Sequence, residues 1–231
     1  LHTAYRRQRQ MCIRDRSTND HIGIITKDIL KNAKALQSIA GSDNIDDRGF
    51  NSITEKYFDE LISLADPTDL KGFKIAVLKE GFENPAMEPR VRENCMKAVE
   101  KFKELGATVV EVSIPLHHKG PLIWTGISKV GGYLTKIGCA IGRRGHSLNS
   151  LNEKFLQAYH DQQHWDRAYP SSKNIYYNGA YALKHYPSLY GKCMNLSRKL
   201  KDDYNKVLDN YDVIVLPTVP SVARSHPDVE K

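Results

Sequence analysis

The sequence predicts an α/β protein, and three observations carry that prediction. Residues 73–78 (Phe-Lys-Ile-Ala-Val-Leu) and 108–112 (Thr-Val-Val-Glu-Val) read as strands. Residues 90–105, between them, set Val91, Cys95, Val99, Phe102 and Leu105 on one face of a helix, with Ala98 beside it. Strand, helix, strand at this spacing is a βαβ unit, expected to be parallel and right-handed. The third observation is a long helix over residues 188–208, which delivers the chain into Asp212 and the apolar run 213–216. With no polar face to show water, that run is expected to be a fully buried strand. Pro217 and Pro220 cannot continue a central ladder, so the chain leaves the sheet there. Ligands of open α/β sheets bind at the carboxyl ends of the strands, where Thr218 would sit.

Bulk composition excludes several classes. The 231 residues are 40% hydrophobic and 26% charged, ordinary for a chain with a core. The net charge is +7. Within residues 1–16, five arginines against Asp15 give +4, which leaves an unremarkable +3 for the rest. That charge gives no reason to expect a nucleic-acid partner. The opening residues have no helical or strand period. They resemble translated adapter read-through, and residues 1–16 are set aside as a non-native basic tail. No apolar run reaches the roughly 18 residues of a membrane helix. Cys12, Cys95, Cys139 and Cys193 are far apart, with no Cys-x-x-Cys pair. Cys12 lies in that tail, and the other three read as buried thiols of a reducing compartment, hence a cytoplasmic protein.

The remaining elements follow in order. Thr26 is placed to cap a helix whose apolar positions are Ile29, Ala33, Leu36 and Ala40, and Gly41 supplies its left-handed stop. Asp43, Asp46 and Asp47 lack the glycine and glutamate spacing of a calcium loop and read as a solvated turn. A short helix or irregular connection fills residues 53–70. A loop with Gly81, Pro85 and Pro89 follows the first strand, and Gly106 ends the helix after it. Residues 120–145 are apolar and dotted with glycines. Gly126 and Gly131 have phosphate-loop spacing, but Gly132 stands where that loop needs lysine. The segment therefore reads as a helix whose small residues permit close packing, with Trp124 as its largest side chain. Residues 148–170 read as helical, with His160 and His164 four apart on one face. They lack the glutamate of a zincin and any third ligand, so no metal site is expected. In the helix over 188–208, Pro187 suits the first turn, and Tyr190, Met194, Ser197, Tyr204, Val207 and Leu208 form the expected buried stripe.

At this point the pieces resemble the amidase signature family. Asp20-His21-Ile22-Gly23 is similar to its segment downstream of the catalytic motif. Ile39-Ala40-Gly41-Ser42-Asp43 resembles its Ile-Ala-Gly-x-Asp helix end. Residues 70–77 and 106–115 are similar to two of its strands, and Asp212 through Pro217-Thr218 to its late Asp-x-x-x-x-Pro-Thr strand. Pro121-Leu122-Ile123-Trp124-Thr125 and residues 190–198 look most like the small-amide hydrolases of fungi and of nitrile-metabolising bacteria. They look less like the tRNA-dependent amidotransferase subunit.

The resemblance implies a mixed-sheet α/β/α sandwich and hydrolysis of carboxylic amides to acid and ammonia, with no cofactor and no metal. The implied ligand is a small-molecule amide; no nucleic acid and no membrane are expected, and a homodimer of the full-length protein is left open. Family chemistry uses a lysine, a serine in a cis peptide and a nucleophilic serine, the two serines in a Gly-Ser-Ser-Gly-Gly-Ser-like stretch. That stretch is absent from these 231 residues. Ser171-Ser172-Lys173 has the residue types without the glycines and is given no catalytic role. Residues 17–231 are therefore expected to be an internal fragment of a single amidase domain, incomplete at both ends and holding no catalytic residue. As an isolated piece it is expected to release no ammonia and to aggregate through uncovered sheet edges. Trp124, Pro217 and Thr218 are the expected wall of the acyl pocket. The alternatives are an A-type amidotransferase subunit or a non-catalytic binding module.

Overall fold

In a computed structural model, the structure describes residues 23–42, 55–64, 68–137 and 149–225. The tail, Thr18 to Ile22, and the turn with Asp43, Asp46 and Asp47 lie outside those residues. So do Cys139, Gly138, Gly142 and Gly145, and Arg143, Arg144 and His146. The chain divides into two compact units. One comprises Leu1–Leu64 and Ile123–Met194, the other Ala65–Leu122 and Asn195–Lys231.

The second unit holds the sheet. Strands β1 (Lys74–Leu78), β2 (Thr108–Val112) and β3 (Val213–Val215) lie in the order β2-β1-β3. Both pairings are parallel, with Ile75 opposite Val109 on one side and Val213 on the other. β1 is central and covered on both faces, so consecutive residues Ile75, Ala76, Val77 and Leu78 are all buried. Helix α4 (Pro89–Glu104) makes the crossover from β1 to β2. Its Val99 joins Val77 and Phe82 in the core, with Cys95, Val109 and Val215 packed against them. The face expected from the sequence is the one that packs: Val91, Cys95, Phe102 and Leu105 are partly buried beside Val99, and Ala98 is exposed. Gly106 ends the helix with φ 97°, the left-handed conformation that glycine enters without penalty. Asp212 joins β3 to β1 at two points: its carboxylate accepts from the Lys74 N–H at 2.7 Å, and its own N–H donates to Lys74 O at 2.9 Å.

Two expectations about this unit change. The run at 213–216 is a strand, but not a fully buried one: Val213 is 42% exposed, and Val215 and Leu216 are half-buried. Among the described residues β3 has a neighbour on one side only, so its apolarity reflects cover that this edge position does not complete. The loop after β1 opens with a single helical turn, α3 (Lys79–Phe82), in which Glu80, Gly81 and Phe82 are buried. Gly81 is required there by close approach, since a Cβ would stand 2.7 Å from Leu216 Cβ.

The first unit is helical. α1 (Ile29–Ile39) is capped by Asp28, whose carboxylate accepts from the Lys31 N–H; Thr26, the expected cap, donates to Asp28 O instead. The two residues between Thr26 and the helix place it too early to cap. Gly41 has φ 126°, the positive angle expected of it. Gln37 ties α1 to α2 (Tyr57–Ser63), accepting from the Phe58 N–H and donating to Asp59. α5 (Gly120–Ile137), entered from a 3₁₀ turn over Pro115–Lys119, buries Ile123, Ile127 and Val130. α6 (Asn149–His160) and α7 (Gln162–Arg167) are two helices, not one. Asp161 stands between them in extended conformation and caps α7, so His160 and His164 do not share a helical face. His164 pairs with Asp161, and no metal-holding cluster exists among the described residues. α8 (Pro170–His185) and α9 (Leu189–Leu208) follow. Pro187 precedes α9 in a turn, Cys193 is the helix's buried residue, and Leu208 is exposed. The unit boundary falls inside α5 and inside α9.

Candidate functional site

The carboxyl ends of the three strands gather the second unit's buried polar chemistry. Glu80 stands two residues past the end of β1 and is 5% exposed. Its carboxylate accepts from the Ser113 hydroxyl and, at 2.9 Å, from the Ile114 N–H, both just past the end of β2. Burial pushes this carboxyl up. The hydrogen bonds from Ser113, Ile114 and its own N–H, with help from His118, carry it below the ordinary glutamate value. A carboxylate held ionised in this way is a weak general base at neutral pH. Glu80 therefore fixes the end of β2 rather than activating Ser113.

The same edge continues into the 3₁₀ turn. His117 Nδ1 shares a 2.7 Å hydrogen bond with the Tyr204 hydroxyl of α9. His118 lies 3.4 Å from Glu83, which also pairs with Lys79. Burial lowers the His117 pKa, and the neighbouring His118 adds to the shift while Glu80 opposes it.

Both shifts make this edge sensitive to acid. Neutral His117 is favoured in the fold, so its contribution is complete above about pH 6.5 and is lost as pH falls from there through the folded value. The Glu80 contribution persists above about pH 4.5 and is lost as pH falls through its own depressed value. Thermal melts between pH 8 and pH 2 are expected to show the midpoint falling in two stages, and His117→Gln is expected to remove only the upper one. A variant with the same pH profile as the wild type would refute the assignment to His117.

The expected pocket residues fall in two places. Pro217 and Thr218 follow β3 at this edge; Pro217 is buried and Thr218 exposed. Beside them, the Glu88 N–H donates to Pro220 O at 2.8 Å and orients the chain as it leaves the sheet. Trp124 belongs to the other unit, on α5, and is 53% exposed. Ser171, Ser172 and Lys173 occupy the first turn of α8, where Lys173 lies over the Trp165 ring. The sequence reading missed Glu80 and the His117–Tyr204 pair. One signal for Glu80 was available: a carboxylate next to a glycine, two residues past the apolar run 75–78.

A sequence profile of the family described as Amidase matches residues 4–231. The chain belongs to the Amidase family. Curated relatives include the A-type subunit of glutamyl-tRNA(Gln) amidotransferase from Listeria monocytogenes serotype 4a (strain HCC23). It is 30% identical over 212 residues, covering 90% of this chain and 42% of that one. The protein of the same name from Staphylococcus aureus (strain bovine RF122 / ET3-1) is 31% identical over 215 residues, covering 90% and 41%. The chain thus spans about two-fifths of the length of the curated relatives it matches. Among solved structures, a bacterial aryl acylamidase of the amidase signature family superposes with a TM-score of 0.62 at 16% identity, over 87% of this chain and 38% of the other. The Thermotoga maritima counterpart of the amidotransferase relatives gives 0.55 at 22%, over 91% and 40%. These likenesses show that the α/β arrangement of this chain is the fold of amidase-family enzymes. Among the described residues, no helix is long and apolar enough to cross a membrane.

Proposed function

We propose that the protein is an amidase that hydrolyses carboxylic amides to acid and ammonia, and that residues 17–231 supply scaffold and part of the acyl-pocket wall of a single amidase domain. The observation that supports this most is the late strand. Asp212 locks β3 to the central strand, and the chain leaves that strand through Pro217, buried, and Thr218, exposed, at the edge where α/β sheets hold ligands.

In this reading the nucleophilic serine, the cis serine and the lysine lie outside residues 1–231. Neutral lysine takes a proton through the middle serine, and the nucleophile's oxygen bonds to the amide carbon. The C–N bond breaks, and nitrogen leaves as ammonia with the proton returned. Water then cleaves the acyl ester to the acid. Pro217 and Thr218 face the acyl group, and no metal or organic cofactor takes part.

The names of the curated relatives favour a second reading, an A-type amidotransferase component that works with partner subunits. Purified full-length protein, assayed for ammonia with a panel of aliphatic and aromatic amides and with glutamine, separates the two. Release from simple amides by the protein alone supports the amidase. Release from glutamine only, and only with partner subunits, supports the amidotransferase. No release from any of them would sink both and leave a binding module. Residues 1–231 alone are expected to release none, and turnover by them would place the catalytic set inside this chain.

A further inference from the structure

Helix α8 has two unlike faces. Ile175, Gly179 and Ala182 are buried. Away from them run Lys173, Tyr177, Tyr181 and His185, each four residues from the last and so on one side of the helix. Tyr177 is 60% exposed and Tyr181 59%, far more than rings recruited for packing. The rings are ordered against neighbours. Trp165 meets Tyr177 edge-on with centroids 5.4 Å apart, and Tyr181 lies 4.4 Å from His185. Lys173 Nζ is 5.7 Å from the centroid of the Trp165 ring. From Arg167 to Met194 the chain has no aspartate or glutamate, while Lys173, Lys184 and Lys192 are all present. The nearest preceding carboxylates are engaged, Asp161 by His164 and Asp166 by Gln162.

We propose that this face of α8 binds a single-stranded nucleic acid, with bases stacked on Tyr177 and Tyr181 and phosphates held by Lys173 and Lys184. Exposed rings beside cations, with no acid among them, are the pairing such a strand requires. Every base offers a π face whatever its identity, and every linkage carries a negative charge. A second copy would bring the same cations against themselves, so self-association is disfavoured. An acidic peptide would satisfy the lysines and leave the ring faces unused. Composition argued against nucleic acid because the excess charge lies in residues 1–16. The local arrangement on α8, not the net charge, alters that expectation. The inference goes beyond the amide reaction and does not depend on it.

The test uses full-length protein and a fluorescein-labelled 12-mer of oligouridylate, read by fluorescence anisotropy. Binding is expected to weaken about tenfold between 50 and 200 mM salt, for a small set of phosphate contacts. Tyr177→Ala and Tyr181→Ala are each expected to weaken it about tenfold, and the corresponding Phe variants to bind like wild type. Four results would overturn the proposal: no binding at 100 μM protein; an abasic oligomer or heparin bound as tightly and lost with the same variants; tighter binding to phosphatidylserine vesicles or polyglutamate; or Tyr177 and Tyr181 protected from nitration in the free protein, which would mean its own chain covers the face. Ammonia release from the same preparations is scored separately, so failure of nucleic-acid binding leaves the amidase reading standing.

Discussion

Glu80→Ala is expected to cost about 3 kcal/mol of folding free energy, measured by urea denaturation at pH 7.5. The alanine removes the acceptor of two hydrogen bonds and leaves the Ile114 N–H in a position that water does not reach, since Ile114 is 2% exposed. An orphaned buried donor costs about 1–3 kcal/mol, and hydrogen bonds to a charged acceptor are worth about 1.5–3 kcal/mol. Glu83, the closest carboxylate in sequence, already faces Lys79 and His118 and is not placed to take over. Glu80→Gln keeps one oxygen for the Ile114 N–H and offers its amide to the Ser113 oxygen, so about half the loss is expected. Both variants should also lose the lower stage of the pH profile, because neither keeps a carboxyl there to be protonated. A loss below about 1 kcal/mol for the alanine variant would show that the end of β2 is held by packing alone, and that Glu80 is not its anchor.

How much of this was legible in the sequence follows from what each signal measures. Periodicity reports which face a helix buries, and it placed Val91, Cys95, Val99, Phe102 and Leu105 correctly on α4. Residue chemistry at a fixed backbone need is nearly as direct, and both Gly41 and Gly106 take the positive φ expected of them. Position within a sheet is different, because it depends on which strands are distant neighbours. Residues 213–216 read as a fully buried strand on apolarity alone, yet among the described residues β3 lies beside the central β1 with no neighbour on its other side. The single continuous helix read over 148–170 fails for a local reason. An aspartate such as Asp161 competes for backbone N–H groups and caps better than it continues a helix. Long-range polar pairs are the least legible. His117 and Tyr204 are separated by 87 positions, and only the packing of α9 beside the 3₁₀ turn makes them partners. The pocket residues illustrate the same limit: Pro217 and Thr218 are placed by the strand they follow, whereas the helix period says nothing of what Trp124 faces.

Gly179→Ala is the other substitution expected to have a large effect, a loss of about 3 kcal/mol in the same assay. A Cβ on Gly179 would stand 2.1 Å from Tyr133 Cβ, 2.6 Å from Tyr133 Cγ and 2.9 Å from the Lys129 carbonyl oxygen. The first is the root of a side chain and the last is backbone, so no rotamer change relieves either; α8 must move off α5. Helix propensity pulls the other way, favouring alanine by about 1 kcal/mol. Overpacking of about 1–3 kcal/mol is typical where a side chain can adapt, and here it cannot, so the clash outweighs the propensity. Two comparisons separate crowding from any general effect of altering helical glycines. Gly191→Ala on α9, with nothing within 4 Å of the new methyl, is expected to stabilise by about 0.5 kcal/mol. Gly126→Ala meets the Cys193 sulfur at 2.5 Å, and Cys193→Ala should recover part of its loss, because removing Sγ opens the space the methyl needs. If Gly179→Ala were as benign as Gly191→Ala, α8 would not be seated on Tyr133. The orientation of its aromatic face, on which the nucleic-acid proposal stands, would then be wrong as well.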